Sequence, residues 1–368
     1  MRRFGVCLGF LALGAVSFGD WVPTKIGFWG PNNYVSINGA TSSGFGGYGV
    51  PDSANDFHAL FWKSGDQAFT DIHPDGFCNS YIKQCIGGYQ YGFGMALDGH
   101  NHALRWQGTA GSVIDLHPGG LWSDSRIFGA FGNDAVGNCS MTFDGLNHAA
   151  FWKGSTSNFI DLTPDNAQGA TPFACGADSQ AGVASWDGFN NHAAIWHGSA
   201  ASIVDLNPSW SKSSYALHIA GEMQGGLTYV DGPFSTTANH ATVWRGTAAS
   251  AVDLNGPTNI ESTLNDMNSD FQVGSVTVFN SPYQYNHATV WQGSAESAFD
   301  LQTSLSSIAS GVYGSTAVAI TESGDIIGYA GSSVDGNFLV KWTHVVPEPT
   351  SIFAVVLGIG FLVRRRTK

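Results

Sequence analysis

The sequence predicts an all-β fold built from a repeated unit, and three observations support this prediction. The 368 residues include 48 glycines and 12 tryptophans but only 12% charged residues, which is typical of short strands joined by many turns. A histidine-containing segment recurs at spacings of 44 to 48 residues. Each copy also contains two short apolar runs that are separated by a turn. A period of this length is characteristic of β-propeller blades, which hold four strands each.

The most regular part of the unit is a hairpin that runs from a histidine to an aspartate. In every copy a tryptophan follows the histidine by four residues and the aspartate follows it by thirteen. In the copy that begins at His192, we expect "HAAIW" and "SIVDL" to be strands and "HGSAA" to be the turn. The six copies contain His58, Trp62 and Asp71; His102, Trp106 and Asp115; His148, Trp152 and Asp161; His192, Trp196 and Asp205; His240, Trp244 and Asp253; and His287, Trp291 and Asp300.

These recurring residues are interpreted as structural, because a catalytic site is normally a single asymmetric place. Six equal copies indicate something that every blade needs. We expect the tryptophan to pack between neighbouring sheets. The histidine and the aspartate are expected to hydrogen-bond to each other or to turn amides.

The number of blades depends on how the two ends of the chain are interpreted. Two further short runs precede each hairpin, which gives four strands per unit. A degenerate seventh copy ends the chain: Phe338 replaces the histidine, Trp342 follows it by four residues, and no aspartate strand comes after. The early segment "WVPTKIGF" could supply the missing strand and close the ring, so that no sheet edge is left exposed. We predict seven blades closed by the N-terminal strand, with six blades as the alternative.

The repeated units resemble the extracellular HAF repeats, which are named after a His-Ala-Phe triplet. In this sequence the triplet reads "HAL", "HAA" or "HAT". The resemblance covers nearly all of residues 20–346 and implies a surface-exposed, propeller-like protein. It implies no particular activity.

Residues 1–19 have the pattern of a cleavable export signal. Arg2 and Arg3 precede an apolar run that is too short to span a hydrocarbon layer of about 30 Å. Cleavage is expected after Ser17 or Gly19, both of which are small residues.

Residues 347–368 have the pattern of a second targeting segment. An uncharged apolar stretch follows a Pro-Glu-Pro motif and precedes an arginine cluster that would stay at the cytoplasmic face of a membrane. The segment resembles the PEP-CTERM sorting signal of bacteria that make exopolysaccharide. The resemblance implies a transient inner-membrane anchor, processing by an exosortase-type transpeptidase, and delivery to the cell surface or matrix. The motif and cluster residues are Pro347, Glu348, Pro349, Arg364, Arg365 and Arg366.

Charge and cysteine content constrain partners and cofactors. Residues 20–346 carry nine basic and 27 acidic residues, a net charge of −18, so nucleic acid and anionic lipid are not expected as partners.

An even number of cysteines in an exported chain favours two disulfides, with three pairings open. The local pair Cys78 and Cys85 would leave Cys139 to reach Cys175. No metal or cofactor motif is found, so neither is expected.

Binding is expected in loops where the repeat is interrupted, such as "HPDGFCNSYIKQC", "NPSWSKSSY", "YVDGPFSTTAN" and "FNSPYQYN". Trp210, Tyr283 and Tyr285 are candidate ligand-binding residues, because aromatic rings stack on sugar faces. The Asp-Gly turns at Asp98, Asp144 and Asp187 could suggest calcium. Tight hairpins demand the same residues, however, and we favour that reading.

The sequence contains no catalytic motif in a suitable context, neither G-x-S-x-G, H-E-x-x-H nor a P-loop, and it therefore predicts that the chain is not an enzyme. The favoured function is an exported surface or matrix protein with a structural, adhesive or exopolysaccharide-associated role. The alternatives are a lectin-like polysaccharide-binding propeller and a glycoside hydrolase. The hydrolase would use loop carboxylates, for which Glu222, Glu261 and Glu296 have no distinctive setting.

Overall fold

The structure is a computed structural model that describes residues 20–28, 35–51, 56–66, 68–143, 145–154, 157–231, 237–280 and 283–345. The predicted export signal and the whole sorting tail, with its Pro-Glu-Pro motif and arginine cluster, lie outside the described residues. No helix of the described ranges is long and apolar enough to cross a membrane. The chain divides into two compact units, Pro23–Thr343 and the joined ends Met1–Val22 and His344–Lys368. In the smaller unit, the Trp21 and His344 rings lie 4.7 Å apart.

Seven four-stranded antiparallel sheets form the blades of a ring. In chain order, blade 1 holds β2 (Val35–Thr41), β3 (Gly44–Gly49), β4 (His58–Lys63) and β5 (Thr70–Asp71); blade 2 holds β6 (Phe77–Ile86), β7 (Tyr89–Ala96), β8 (Asn101–Trp106) and β9 (Ile114–Asp115); blade 3 holds β10 (Trp122–Phe131), β11 (Asp134–Met141), β12 (Asn147–Trp152) and β13 (Ile160–Asp161). Blade 4 holds β14 (Gly169–Cys175), β15 (Gln180–Ser185), β16 (His192–Trp196) and β17 (Val204–Asp205); blade 5 holds β18 (Ser213–Ala220), β19 (Met223–Asp231), β20 (Thr237–Trp244) and β21 (Val252–Asp253); blade 6 holds β22 (Glu261–Met267), β23 (Gln272–Asn280), β24 (Tyr283–Trp291) and β25 (Phe299–Asp300). Blade 7 holds β26 (Val312–Ile320), β27 (Ile326–Ser332), β28 (Gly336–Val345) and, as its fourth strand, β1 (Asp20–Phe28).

The two ends of the chain close the ring, as the sequence predicted. β1 pairs with β28 and completes blade 7, whose own hairpin lacks an aspartate strand. The first strands of neighbouring blades contact each other, and β2 of blade 1 contacts β26 of blade 7. The prediction of seven blades is therefore confirmed, and the six-bladed alternative is wrong. We call the side on which the third strands begin the upper face, and the side of the turns between first and second strands the lower face.

The predicted hairpin forms, but its second strand is shorter than expected. In "SIVDL" only Val204 and Asp205 are strand, because Ser202 belongs to a short 3-10 helix. The Ser202 hydroxyl accepts a hydrogen bond from the His197 amide and donates one to the Ser199 carbonyl. The 3-10 helices of the described residues include Ala110–Ser112, Ala200–Ser202, Ala248–Ser250, Ala295–Ser297 and Leu301–Ser307.

Each repeat tryptophan fills the space between its own blade and the preceding one. Trp196 of blade 4 packs in a cluster with Val136, Phe151 and Leu162 of blade 3. Burying one indole removes on the order of 150–250 Å² from water, which stabilises the seam by about 4–6 kcal/mol. Trp106, Trp152, Trp196, Trp244, Trp291 and Trp342 are completely buried, whereas Trp62 retains 7% exposure.

A glycine in every second strand accommodates a bulge in the first strand, which explains much of the glycine content. In blade 4, β14 shifts register between Pro172 and Ala174. A Cβ built on the facing Gly182 would lie 2.1 Å from the Thr171 carbonyl oxygen, so no larger residue fits without moving the backbone. The seven equivalent glycines are Gly47, Gly92, Gly137, Gly182, Gly226, Gly274 and Gly328.

The predicted disulfides do not form, and the four cysteines are free thiols. Cys78 and Cys85 lie on the same strand, β6, where seven residues span about 20 Å, far more than the Cα separation of about 4–7 Å that a disulfide requires. The segment "HPDGFCNSYIKQC" is therefore mostly the inner strand of blade 2 and not a loop. Cys139 pairs with His148 near the upper face, whereas Cys175 pairs with Gln180 beside a lower turn of the next blade.

Candidate functional site

The recurring histidine and aspartate belong to a hydrogen-bond relay that links each blade to the next. In blade 4, His192 Nδ1 and Asp205 Oδ2 lie 2.8 Å apart, and Asp205 Oδ1 accepts the Asn207 amide at 2.7 Å. The Ser214 hydroxyl of blade 5 donates to Asn207 Oδ1 at 2.6 Å. The same hydroxyl accepts the Ala193 amide of blade 4 at 2.9 Å, so the relay ends on the strand where it began.

The pair of histidine and aspartate repeats in six blades, and in each the aspartate also accepts the amide two residues further on, whereas the residue that supplies this amide varies: His73, His117, Thr163, Asn207, Asn255 and Gln302. The His Nδ1 to Asp Oδ2 distance is 2.7 or 2.8 Å in all six copies. Such pairing satisfies groups that would otherwise lose hydrogen bonds on burial. The geometry thus gives the repeated histidine and aspartate a structural role in blades 1 to 6. In five blades the amide of the alanine that follows the histidine donates a hydrogen bond to a buried serine hydroxyl of the next blade. These serines are Ser80, Ser125, Ser214, Ser262 and Ser315.

Sequence reasoning missed these serines. Four of them follow their histidine by 22 or 23 residues, a spacing that the repeat alignment contains. The regular spacing of these serines is interrupted in blade 4, where Ala170 occupies the position on the first strand that is serine in blades 2, 3, 5, 6 and 7. There the Thr163 hydroxyl accepts the Ala149 amide instead, at 2.8 Å.

The Asp-Gly turns use their carboxylates to cap the turns themselves. Asp187 Oδ1 accepts the Phe189 and Asn190 amides at 2.8 Å, and these bonds lower the pKa of Asp187 to about 2. Asp98 Oδ1 accepts the His100 amide in the same way. Asp144 lies outside the described residues. Among the residues that are described, no group of three or more His, Cys, Asp and Glu side chains is placed to hold a metal.

Two of the three aromatic candidates come together, and the third stands apart. Tyr283 and Tyr285 are two residues apart on β24, so their side chains share a face. Their rings are 6.2 Å apart, and the Tyr285 ring is 6.0 Å from Tyr313 of blade 7. Trp210 is 46% exposed, lies in the turn before β18, and does not join this row.

Tyr285 and Tyr313 line a groove of about 540 Å³ in the upper part of the seam between blades 6 and 7, and Tyr283 neighbours Tyr285 outside the lining. We call this groove the tyrosine groove. Tyr283 is 63% and Tyr313 45% exposed, so both rings present apolar surface to solvent. The Tyr313 ring lies against Gly331, where an added Cβ would approach it to 2.6 Å. This glycine therefore fixes where the ring can lie.

Polar side chains fill the remaining wall of the tyrosine groove. Tyr313 Oη donates to Asn337 Oδ1 at 3.3 Å, and Thr277 Oγ1 donates to Asn286 Oδ1 at 2.9 Å. Glu261 contributes the carboxylate among the lining residues. Sequence reasoning missed the contribution of blade 7, because its repeat is degenerate and Tyr313 has no counterpart in the other copies.

A second cavity, of about 210 Å³, lies at the lower end of the ring centre, where strands of all seven blades meet. His218 Nδ1 and Asp266 Oδ1 are 3.7 Å apart there. Burial raises the pKa of Asp266 to about 7, although the Ile320 and Met267 amides donate to its oxygens and act in the opposite direction. Burial lowers the pKa of His218 to about 4. The pair is thus mostly uncharged between these values.

Comparison with known proteins supports the fold alone. No model of a known protein family matches the sequence, and no curated protein sequence matches it either. The structure resembles puromycin hydrolase with a TM-score of 0.54 and 11% identity, covering 88% of this chain and 57% of that one. It resembles oligogalacturonate lyase in complex with manganese with a TM-score of 0.54 and 9% identity, covering 89% and 93%. A puromycin-hydrolyzing peptidase of Mycobacterium tuberculosis gives a TM-score of 0.50 and 11% identity, covering 85% and 51%. This chain thus spans about half the length of the puromycin hydrolase and of the puromycin-hydrolyzing peptidase.

These resemblances correct one prediction. The sequence, lacking a catalytic motif, predicted that the chain is not an enzyme. The same fold occurs in a hydrolase, a peptidase and a lyase, so it is compatible with enzymatic activity and gives no ground for excluding one. The absence of a familiar motif was weak evidence, because residues from separate blades can meet in space without any local signature.

Proposed function

We propose that the chain is an exported protein of the bacterial cell surface or extracellular matrix whose propeller binds polysaccharide through the tyrosine groove. The observation that carries the binding proposal is the row of three tyrosine rings, of which Tyr285 and Tyr313 line the groove and Tyr283 extends the row beyond it. Exposed rings at this spacing offer flat apolar faces to successive sugar units. An adhesive or matrix-building role would follow from such binding.

The polar lining of the groove suits the hydroxyl groups of sugars. Asn286, Asn337 and Gln284 offer amide donors and acceptors, and Thr277 adds a hydroxyl. The volume of about 540 Å³ lies within the range of small-ligand sites, which is roughly 300–1,000 Å³. An open groove, unlike a closed pocket, lets a polymer continue beyond the bound units.

The cellular location of the protein is proposed from its two terminal segments. An export signal over residues 1–19 and a PEP-CTERM-like tail over residues 347–368 would carry the chain across the inner membrane and hold it there briefly. An exosortase-type transpeptidase would then remove the tail. A polysaccharide-binding propeller released in this way would be delivered to the place where its ligand accumulates.

The binding proposal is tested with purified protein and the exopolysaccharide of the producing cells. We expect saturable binding that Tyr285→Ala or Tyr313→Ala weakens by roughly tenfold or more, since one stacked ring contributes on the order of 1–3 kcal/mol. Trp210→Ala is the matched control, because Trp210 is an exposed aromatic residue outside the groove. Equal loss in all three variants, or no binding by the parent protein, would contradict the proposal.

The same samples distinguish binding from hydrolysis. Release of reducing ends that disappears with Glu261→Gln, while saturable binding persists, would identify the tyrosine groove as a glycoside hydrolase site. Binding without release would identify a lectin-like site.

The sorting proposal is tested by following the full-length chain in its host. We expect the mature protein at the surface to lack both terminal segments, as measured by mass spectrometry of its terminal peptides. Replacing Glu348 with Ala should leave the tail attached and the protein in the membrane fraction. A surface protein that retains Arg364–Arg366 would contradict the proposed processing.

A further inference from the structure

The seam between blade 7 and blade 1 departs from the packing of the other seams. In each blade, the residue before the repeat tryptophan points toward the following blade. It is a buried apolar residue in five blades, namely Phe61, Phe151, Ile195, Val243 and Val290. In blade 2 it is Arg105, whose guanidinium lies over the Tyr89 ring at 4.8 Å. In blade 7 it is Lys341, which remains 37% exposed.

Lys341 borders a cavity of about 380 Å³ between blades 7 and 1, open toward the lower face. We call it the seam cavity. Ile26 and Ile327 form part of its apolar wall, and the Phe45 ring lies at its side, stacked on Trp62 at 5.2 Å. The remaining wall carries the hydroxyl groups of Thr24, Ser42, Ser64, Thr321 and Ser323.

The seam cavity concentrates positive charge in a strongly acidic chain. Lys25, Lys63 and Lys341 line it, and they are three of the nine basic residues between positions 20 and 346. Lys341 Nζ lies 3.4 Å from Asp325 Oδ2, and Lys25 Nζ lies 3.5 Å from the carboxylate of Asp335, which is not part of the lining.

Two of the three lysines of the lining already have a carboxylate partner, Lys341 in Asp325 and Lys25 in Asp335. The carboxylates of the lining are Asp66 and Asp325, against three lysines. Lys63 is exposed and forms no ion pair with any described residue. A carboxylate on a ligand would give Lys63 the partner that it lacks among the described residues.

We propose that the seam cavity binds a uronate, an acidic sugar unit whose single carboxylate pairs with Lys63 and Lys341. The Phe45 ring would lie against the apolar face of the sugar, and the serine and threonine hydroxyls would bond to its hydroxyl groups. This site is separate from the tyrosine groove in position and chemistry. The two proposals can therefore fail independently.

The test uses the purified full chain with glucuronate as the probe and glucose as its uncharged counterpart, followed by saturation-transfer NMR and calorimetry. We expect glucuronate to bind, glucose to bind at least about tenfold more weakly, and added salt to weaken glucuronate binding because the attraction is electrostatic. Lys63→Gln should reduce glucuronate binding about tenfold, since a charge-assisted hydrogen bond is lost. Lys212→Gln, which removes another exposed lysine, should leave binding unchanged.

The source of the uronate is distinguished by a second arm with a glucuronate-containing oligosaccharide. Binding of the oligosaccharide that depends on Lys63 supports recognition of a polymer, and binding of the monosaccharide alone supports recognition of a free acid. The proposal is overturned if neither probe binds, if glucose binds as tightly as glucuronate, or if Lys63→Gln and Lys212→Gln behave alike. Tyr285→Ala should not change glucuronate binding, which separates this result from the test of the tyrosine groove.

Discussion

The seam between blades 3 and 4 and the seam between blades 7 and 1 show two uses of the same fold. In the first, Trp196 is completely buried against blade 3, and the position before the tryptophan of blade 3 is the apolar Phe151. In the second, Trp62 is less completely buried and Lys341 replaces the apolar residue. The regular seam holds a cavity of about 250 Å³ near the upper face, away from Trp196, whereas the irregular one holds a cavity of about 380 Å³ beside Lys341. Where the repeat is kept, an apolar side chain precedes the tryptophan and packs against the next blade; where it is not kept, a lysine borders the cavity instead.

The largest effect is expected from breaking a regular seam. Trp196→Ala should lower the free energy of unfolding by about 3–5 kcal/mol, because it removes a completely buried indole and leaves a cavity. Urea denaturation measures this loss. Trp62→Ala should cost less, since Trp62 is less completely buried than Trp196. Equal costs would contradict the distinction between the two kinds of seam.

The next largest effect is expected at the cavity in the ring centre, where Asp266 makes the free energy of unfolding depend on pH. Because the pKa of Asp266 is raised to about 7, the folded state binds more protons than the unfolded state between about pH 4 and pH 7. Asp266 thus stabilises the fold at low pH, and this contribution is lost as the pH rises. Asp266→Asn should therefore gain roughly 2–3 kcal/mol relative to the parent protein between about pH 5 and pH 8.

His218 and Glu322 are the titratable groups that face Asp266, and both remain in the variant. Their own pH dependence therefore largely cancels in the difference between the two proteins. If Asp266 were instead ionised and paired with a charged His218, Asp266→Asn would be less stable than the parent near pH 5 to 6, because the variant lacks the ion pair. Urea denaturation at several pH values gives the sign directly.

A smaller loss is expected from interrupting the relay between two regular blades. Ser214→Ala leaves the buried Ala193 amide without its acceptor and Asn207 Oδ1 without its donor. The expected cost is about 1–3 kcal/mol, measured by thermal or urea unfolding. Ser306→Ala, at an exposed serine on a 3-10 helix, is the matched control and should change stability by less than about 0.5 kcal/mol. A similar loss in both variants would contradict the relay.

The repeat explains why so much of the fold could be predicted. The constant spacing from histidine to tryptophan and aspartate, as in His192, Trp196 and Asp205, predicted the hairpin. The degenerate seventh copy, which contains Phe338, lacks its last strand and therefore predicted closure by the N-terminal strand. The predicted disulfides were wrong because parity of cysteines says nothing about geometry, and Cys78 and Cys85 proved to share one strand.

The candidate sites were less predictable because they join residues from different blades. Tyr285 was found from its loop-like surroundings, but Tyr313 belongs to the next blade and becomes its neighbour only in the folded ring. Lys63 and Lys341 are far apart in sequence and meet only because the chain closes on itself. A periodic pattern reveals what every blade shares, whereas these sites depend on what a single seam does differently.

The smallest effect on stability is expected where the irregular seam is made regular. Lys341→Val introduces the residue that Val243 and Val290 place at the same position. The partly exposed ion pair with Asp325 contributes about 0–1 kcal/mol, and the added apolar burial contributes a similar amount, so the free energy of unfolding should change by less than about 1 kcal/mol. Glucuronate binding should nevertheless fall, because one of the two proposed carboxylate partners is gone. A loss of more than about 2 kcal/mol on urea denaturation would instead mean that Lys341 supports the fold, as Trp196 does in the regular seam.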